Sequence, residues 1–266
     1  LNALKVRPGL TDVQLNPDSE GHRQAIGLDS KGRQQSYYLQ SHKDRAAAAK
    51  YFRAKAFGKI IPKIKSEAHH LMVSGRENHI TRDAAAIISI IAKTGLRVGS
   101  GDDTQADVEA FGAGTLQKEH VSVEGNKVTL TFTGKSGVQQ TKQFEDGSIA
   151  RYLERRMKKK KEGEPLFDAS YSTVKRVFKS LAGNGFSPKD FRTWYGTALA
   201  RKTLKGLPKP VTKTEALAVK KEVLRVVSDF LGNTPTMAMN SYVDPSIWSP
   251  IAKLLTVKSR KKKRKS

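Results

Sequence analysis

Between two long stretches of helical periodicity lies one segment, Lys127–Phe144, that follows a different rule. In "KVTLTFTGKSGVQQTKQF", Val128, Leu130 and Phe132 alternate with Thr129 and Thr131, and Gly134–Gly137 supplies turn residues. A period of two with a glycine-flanked turn predicts a β-hairpin. Upstream, "TRDAAAIISIIAKTG" predicts a helix, with Thr81 as the cap, four isoleucines on one broad face and Gly95 as the stop. Downstream, Ile149, Tyr152, Leu153 and Met157 recur at helical spacing, as do Val174, Val177, Phe178 and Leu181. Two further helices follow, one opening at Ser187–Pro188 with Phe191, Trp194, Tyr195 and Ala198 on one face, the other ending at Gly232. Trp194 and Trp248 are assigned to core packing. The hairpin is therefore an insertion in a mainly helical domain.

Residues 1–44 read differently. Turn signals at Asp29–Gly32 separate two extended stretches, which suggests a second hairpin. The expected organisation is α+β: a small β-rich N-terminal domain over 1–44, a hinge at 45–49, a mainly helical domain over 50–257 and a basic tail over 258–266. No internal repeat is present.

Charge narrows the function. The 266 residues carry 49 Lys plus Arg against 25 Asp plus Glu, a net charge of +24. Seven of those basic residues lie in "KSRKKKRKS" at the end, so the remainder is basic too. Self-repulsion on that scale calls for a polyanion, and nucleic acid is the leading candidate. The tail reads as a solvated arm that grips phosphates, or as a nuclear address. Without cysteine there is no disulfide framework and no thiolate metal site. No apolar run approaches a membrane span and no signal-peptide pattern is seen, so an intracellular, DNA-associated location is expected.

Several chemistries are excluded by spacing. "TGKSG" lacks the glycine a phosphate-binding P-loop needs five residues before Gly134, where Thr129 stands. All six histidines precede residue 121 and none has zinc spacing. "GDD" at Gly101–Asp103 is the nearest approach to a magnesium-holding carboxylate pair, and it reads as a solvated loop. A basic protein that breaks phosphodiesters without a metal needs a side-chain nucleophile, cationic donors for the phosphorane and a proton donor for the leaving alkoxide. Tyr242, Arg97 with Arg192, and Lys135 could supply those parts. Singly, each has a bland alternative as packing or surface charge. Tyr242 lies in "LGNTPTMAMNSYVDP", where Asn233–Thr234–Pro235 makes a helix start and Tyr242 falls in the last turn.

Taken together and in order, "GHRQAIGLDSKGRQQSYY", "TGLRVGS", "FTGKSG", "KDFRTWYGT" and "LGNTPTMAMNSYVDP" resemble the type IB DNA topoisomerases, in their compact poxvirus-like and bacterial branch. The resemblance covers nearly the whole chain apart from the basic tail. It implies the fold shared by topoisomerase IB and tyrosine recombinases. It implies that Tyr242 is the nucleophile, forming a 3′-phosphotyrosyl link and releasing a 5′-hydroxyl. Arg97 and Arg192 would then bind the non-bridging oxygens, and Lys135 would act as general acid. Asn233 would stand where poxvirus and eukaryotic relatives often have histidine. Arg33, Gln35, Tyr38 and Lys189 would contact DNA, although Ser36 replaces one aromatic of the family's N-terminal pattern. The run after Gly99 also diverges. No cofactor, ATP or metal is implied, and the expected partner is duplex DNA clamped by a monomer. A site-specific tyrosine recombinase is the alternative, though such enzymes usually carry His-x-x-Arg where this chain has Lys189–Asp190–Phe191–Arg192.

Overall fold

A computed structural model describes residue 4 and residues 6–100 and 109–256. The Gly101–Asp103 loop and the 258–266 tail lie outside the described residues. The chain divides into two compact units, one up to Arg53 and the other from Ala54.

The first unit contains an antiparallel sheet of three strands, β1 (Thr11–Leu15), β2 (Arg23–Leu28) and β3 (Gln34–Tyr38), in the order β1-β2-β3. β2 and β3 form the hairpin expected around Asp29–Gly32, with Ile26 opposite Ser36 and Leu28 opposite Gln34. Asp29 organises the turn by accepting from the backbone N–H groups of Lys31 and Arg33, both at 3.0 Å. Helix α1 (Gln40–Val73) begins immediately after β3. The expected hinge at 45–49 falls inside this helix, because the alanine-rich run there has high helix propensity and no breaker.

The second unit is mainly helical. After α1 come α2 (His79–Thr94), α3 (Gly147–Met157), α4 (Tyr171–Ala182), α5 (Lys189–Gly206), α6 (Lys213–Leu231), α7 (Pro235–Ser241) and α8 (Ala252–Thr256). Between α2 and α3 lies a second antiparallel sheet, β4 (Val121–Glu124), β5 (Lys127–Gly134) and β6 (Val138–Glu145). The alternating segment thus forms the β5–β6 hairpin, closed by a short 3-10 turn over Lys135–Gly137.

Helix α2 is the centre of the larger core. Its cap is Asn78 rather than Thr81, and the Asn78 side chain accepts from the Thr81 N–H at 2.9 Å. The helix therefore begins about one turn earlier, and an amide oxygen satisfies one of its orphan first-turn donors. The isoleucines do not form one face, since Ile87, Ile88, Ile90 and Ile91 are all fully buried. A helix that is apolar all round must be covered all round. Phe57, Ile61 and Ile64 of α1, the apolar residues of β5, and Val174 and Phe178 of α4 complete that core. Each fully buried aliphatic side chain contributes about 1.5–3 kcal/mol by removal from water.

Asp83 sits in this core with no exposed surface, accepting from the Tyr152 hydroxyl and the Asp168 N–H, each at 2.7 Å, with Arg156 at 3.3 Å. Burial pushes its carboxyl above the ordinary range despite those donors. A second core, with Val223, Leu224 and Val227 of α6, Ala238 of α7, Tyr242, Ile247 and Trp248, lies beneath the C-terminal helices. Trp194, in contrast, packs half-buried on the larger core.

Candidate active site

The elements that carry the sequence candidates end close to one another. α2 stops at Gly95, which takes a left-handed conformation and donates back to the Ile91 carbonyl. A β-carbon is disfavoured there, which explains the glycine. The chain then runs extended through Arg97, whose carbonyl is fixed by the Ala113 N–H at 2.8 Å. α6 stops at Gly232 in the same left-handed cap. Thr234 caps α7 and Pro235 occupies its first turn, as read from the sequence. Tyr242 is not within the last turn but just past it, as the residue that closes α7.

Arg192, on the first turns of α5, is almost fully buried. Its Nη1 donates to the Gly95 carbonyl at 2.6 Å and its Nη2 to the Leu231 carbonyl at 2.8 Å. Two helix C-termini, each with exposed carbonyl dipoles, thus hold one guanidinium. Burial first, and then Arg97, brings Arg192 down to about 10, with Tyr242 opposing the shift. Two of its five N–H donors are spent on these carbonyls, and Nε has no protein partner. The fixed plane therefore keeps donors available for an oxyanion.

Tyr242 lies under that guanidinium, with the Arg192 carbon 4.9 Å from its ring centroid. Burial alone would raise the phenol. The positive charges of Arg192, Arg97 and Lys189 outweigh it, and the phenol titrates below its ordinary value. Its backbone is clasped by Thr197, whose hydroxyl donates to the Tyr242 carbonyl at 3.1 Å and accepts from the Asp244 N–H at 3.0 Å. Neither Thr197 nor its neighbour Gly196 was singled out from the sequence. Only the close approach of two distant segments reveals them.

A cleft of about 530 Å³ is lined by Arg97, Lys135, Lys189, Arg192 and Tyr242, together with Tyr171 at the start of α4. Lys135 sits exposed on the turn of the β5–β6 hairpin. Tyr171, 55% exposed, is a further aromatic on the cleft wall that periodicity alone would class as a helix-start residue. Asn233 follows the α6 cap, and neither its side-chain nitrogen nor its oxygen has a partner although both are buried. Leaving a buried amide unsatisfied costs on the order of 1–3 kcal/mol. The three N-terminal candidates belong to the first unit. Arg33 pairs with Asp29 at 2.9 Å, Gln35 donates to the same carboxylate at 3.0 Å, and Tyr38 stacks on His42 with ring centres 5.2 Å apart. Among the described residues no group of three or more His, Asp or Glu could hold a metal ion. No helix among them is long and apolar enough to cross a membrane.

A mainly helical domain with an inserted sheet and a cleft shared by a tyrosine and two arginines defines a recognisable class. The family model described as the eukaryotic DNA topoisomerase I catalytic core matches residues 39–265, and the chain belongs to that family, the type IB DNA topoisomerases, which are isomerases. It is 28% identical over 233 residues to the DNA topoisomerase 1B of Acanthamoeba polyphaga mimivirus, covering 79% of this chain and 67% of that protein. It is 23% identical over 255 residues to the DNA topoisomerase 1 of rabbit fibroma virus, covering 91% and 78% respectively. Among solved structures, the XerH site-specific recombinase in a pre-cleavage complex with its difH substrate aligns with a TM-score of 0.46 at 16% identity. That alignment covers 74% of this chain and about half, 52%, of the recombinase.

Proposed function

We propose that the chain relaxes supercoiled duplex DNA by cutting and resealing one strand through Tyr242, without ATP and without a metal ion. The observation that carries this reading is the shared cleft, where a phenol made more acidic than usual faces Arg192, Arg97, Lys189 and Lys135.

Tyr242 gives its phenolic proton to solvent, and the phenolate oxygen attacks the scissile phosphorus. The bond to the 5′-oxygen breaks as the tyrosyl–phosphorus bond forms, leaving a 3′-phosphotyrosyl ester. Arg97 and Arg192 bind the non-bridging oxygens, where charge accumulates in the transition state. Asn233 donates a neutral hydrogen bond to the same phosphorane, which gives its unsatisfied amide a partner. Lys135 delivers a proton to the departing 5′-oxygen, a contribution of roughly 10²–10⁴ in rate for a well-placed general acid. Lys189 contacts the backbone. Phenolate is a good leaving group, its conjugate acid having a pKa of about 10, so the 5′-hydroxyl can reverse the step after the free end has swivelled.

Arg33, Gln35 and Tyr38 of the first unit contact the duplex, and the two units close around it as a monomer. Binding is strongly salt-dependent through counterion release. Relaxation of supercoiled plasmid in EDTA without nucleotide, beside Tyr242→Phe, tests the reading. Activity in the parent and none in the variant is expected. Equal relaxation by both would refute the choice of nucleophile, and dependence on an added metal would refute the mechanism.

A further inference from the structure

The inner face of the β5–β6 hairpin carries a contradiction. On β5 that face is Val128, Leu130 and Phe132, all buried. Their partners on β6 are Phe144, Lys142 and Gln140. Two polar side chains thus stand where the pattern of a core-facing strand calls for apolar ones. Gln140 is only 6% exposed. Burial, and then Arg192, brings the Lys142 ammonium down to about 8, with Asp229 opposing. Neither position is favourable for a polar group unless the group is used.

Both are used at one place, the C-terminus of α6. The last carbonyls of a helix have no partners within it. Here Lys142 Nζ donates to the Asp229 carbonyl at 3.2 Å and to the Phe230 carbonyl. Arg192 takes the Leu231 carbonyl, and Gln140 Nε2 donates to the Gly232 carbonyl at 3.3 Å. Four consecutive carbonyls are therefore capped by side chains from β6 and α5. Gln140 also fills the space between two glycines. A β-carbon on Gly134 would fall 2.9 Å from Gln140 Cγ, and one on Gly232 would fall 1.8 Å from Gln140 Oε1. Gly134 immediately precedes Lys135, and Gly232 immediately precedes Asn233.

We propose that Gln140 is a positioning residue that sets the lysine turn of the β5–β6 hairpin in register with the end of α6, and so places Lys135 for proton delivery to the leaving 5′-oxygen. The inference rests on the reading of Lys135 as general acid. In Gln140→Met the volume is nearly kept but the donor is lost. Lys142 and Arg192 still hold the α6 carbonyls, so the end of α6 stays in place and the hairpin turn is what loosens. The defect falls on Lys135 rather than on Arg192 or Tyr242.

The test compares single-turnover cleavage of two DNA substrates, one ordinary and one with sulfur in place of the scissile 5′-oxygen. A thiolate leaves without a proton, so it bypasses the general acid. In Gln140→Met, cleavage of the oxygen substrate should slow about tenfold while the sulfur substrate is nearly unaffected, as expected for a modest misplacement of one group. The sulfur-to-oxygen rate ratio should rise accordingly, and rise further in Lys135→Ala. A merely structural role would lower both rates together and leave the ratio unchanged. An unchanged ratio in Gln140→Met, with either normal or reduced rates, overturns the proposal. An unchanged ratio in Lys135→Ala instead overturns the underlying reading of the acid, so the two failures are told apart.

Discussion

Gly196 lies in the middle of α5, where helix propensity alone says alanine should be better by about 1 kcal/mol. The structure says otherwise. A β-carbon at Gly196 would fall 2.6 Å from the Tyr242 carbonyl oxygen, 2.8 Å from Tyr242 Cβ and 3.1 Å from its carbonyl carbon. These are backbone and near-backbone atoms, and they cannot rotate away. To reach ordinary contact distances the Tyr242 segment must retreat by roughly half an ångström to one ångström. The retreat also strains the Thr197 hydroxyl clasp on Tyr242 and Asp244. Overpacking of this kind costs about 1–3 kcal/mol. Set against the propensity gain, Gly196→Ala should lose about 0–2 kcal/mol of stability.

The effect on chemistry is larger, because the displaced atoms carry the proposed nucleophile. Misplacement by about an ångström costs up to 10²-fold in rate, so single-turnover cleavage should fall about 10- to 100-fold. Urea unfolding measures the first quantity and a cleavage time course the second. Gly206→Ala at the end of the same helix is the control, since a β-carbon there meets nothing within 4 Å. It should leave cleavage unchanged. If Gly196→Ala were stabilised by about 1 kcal/mol and cleaved at the parental rate, the close approach would not constrain Tyr242 and the reasoning would be wrong.

Three other outcomes follow from the same geometry. Asn233→Ala should reduce the cleavage rate by about 10²–10³ with DNA affinity nearly unchanged, as for removal of one oxyanion donor; a parallel loss of affinity would argue for a binding role. Arg97→Ala removes one of the charges that hold the Tyr242 phenol below its ordinary value, so the phenol titrates higher. The difference in phenolate absorbance between each protein and its Tyr242→Phe counterpart, followed against pH, should show that upward shift, and a downward one would contradict it. Tyr152→Phe deletes the hydrogen bond to buried Asp83 and should cost about 1–3 kcal/mol. Because the lost donor favours ionised Asp83, the penalty should be full above the Asp83 titration and shrink as acid protonates that carboxyl. Urea midpoints measured across pH would show the reverse trend if the hydrogen bond mattered only to the neutral form.

What the sequence disclosed follows from where the physics is local. Helix caps at Gly95, Gly232 and Thr234, and the alternation in β5, depend on neighbours within a few residues and were legible. The α2 cap is Asn78 rather than Thr81 because both residue types cap helices well and propensity does not separate a start at one from a start a turn later. The isoleucine run suggests a single face because a one-sided stripe is the usual case, whereas coverage from all sides is a property of the partners. Chemical need picks out Tyr242, Arg97, Arg192 and Lys135 as candidates, but their shared site, and Asn233 with them, comes only from resemblance, since no spacing rule brings residues 97, 135, 192, 233 and 242 together.

Gln140 and Lys142 show why the remainder was hidden. In the sequence, "VQQTKQF" is polar at nearly every position, so its alternation marks no face at all. A polar strand of this kind ordinarily reads as a solvated edge. Its inner face becomes intelligible only once the four carbonyls of residues 229–232 are seen to lie against it. Those carbonyls are invisible to any pattern of side chains, because every residue has one. The unmet demand of the backbone at one helix end, rather than hydrophobicity, dictates which side chains β6 presents. The same demand fixes the plane of Arg192 between Gly95 and Leu231, so the scaffold and the guanidinium proposed to bind the phosphate are set by a single set of hydrogen bonds. Loosening the end of α6 should therefore disturb the chemistry before it disturbs the fold.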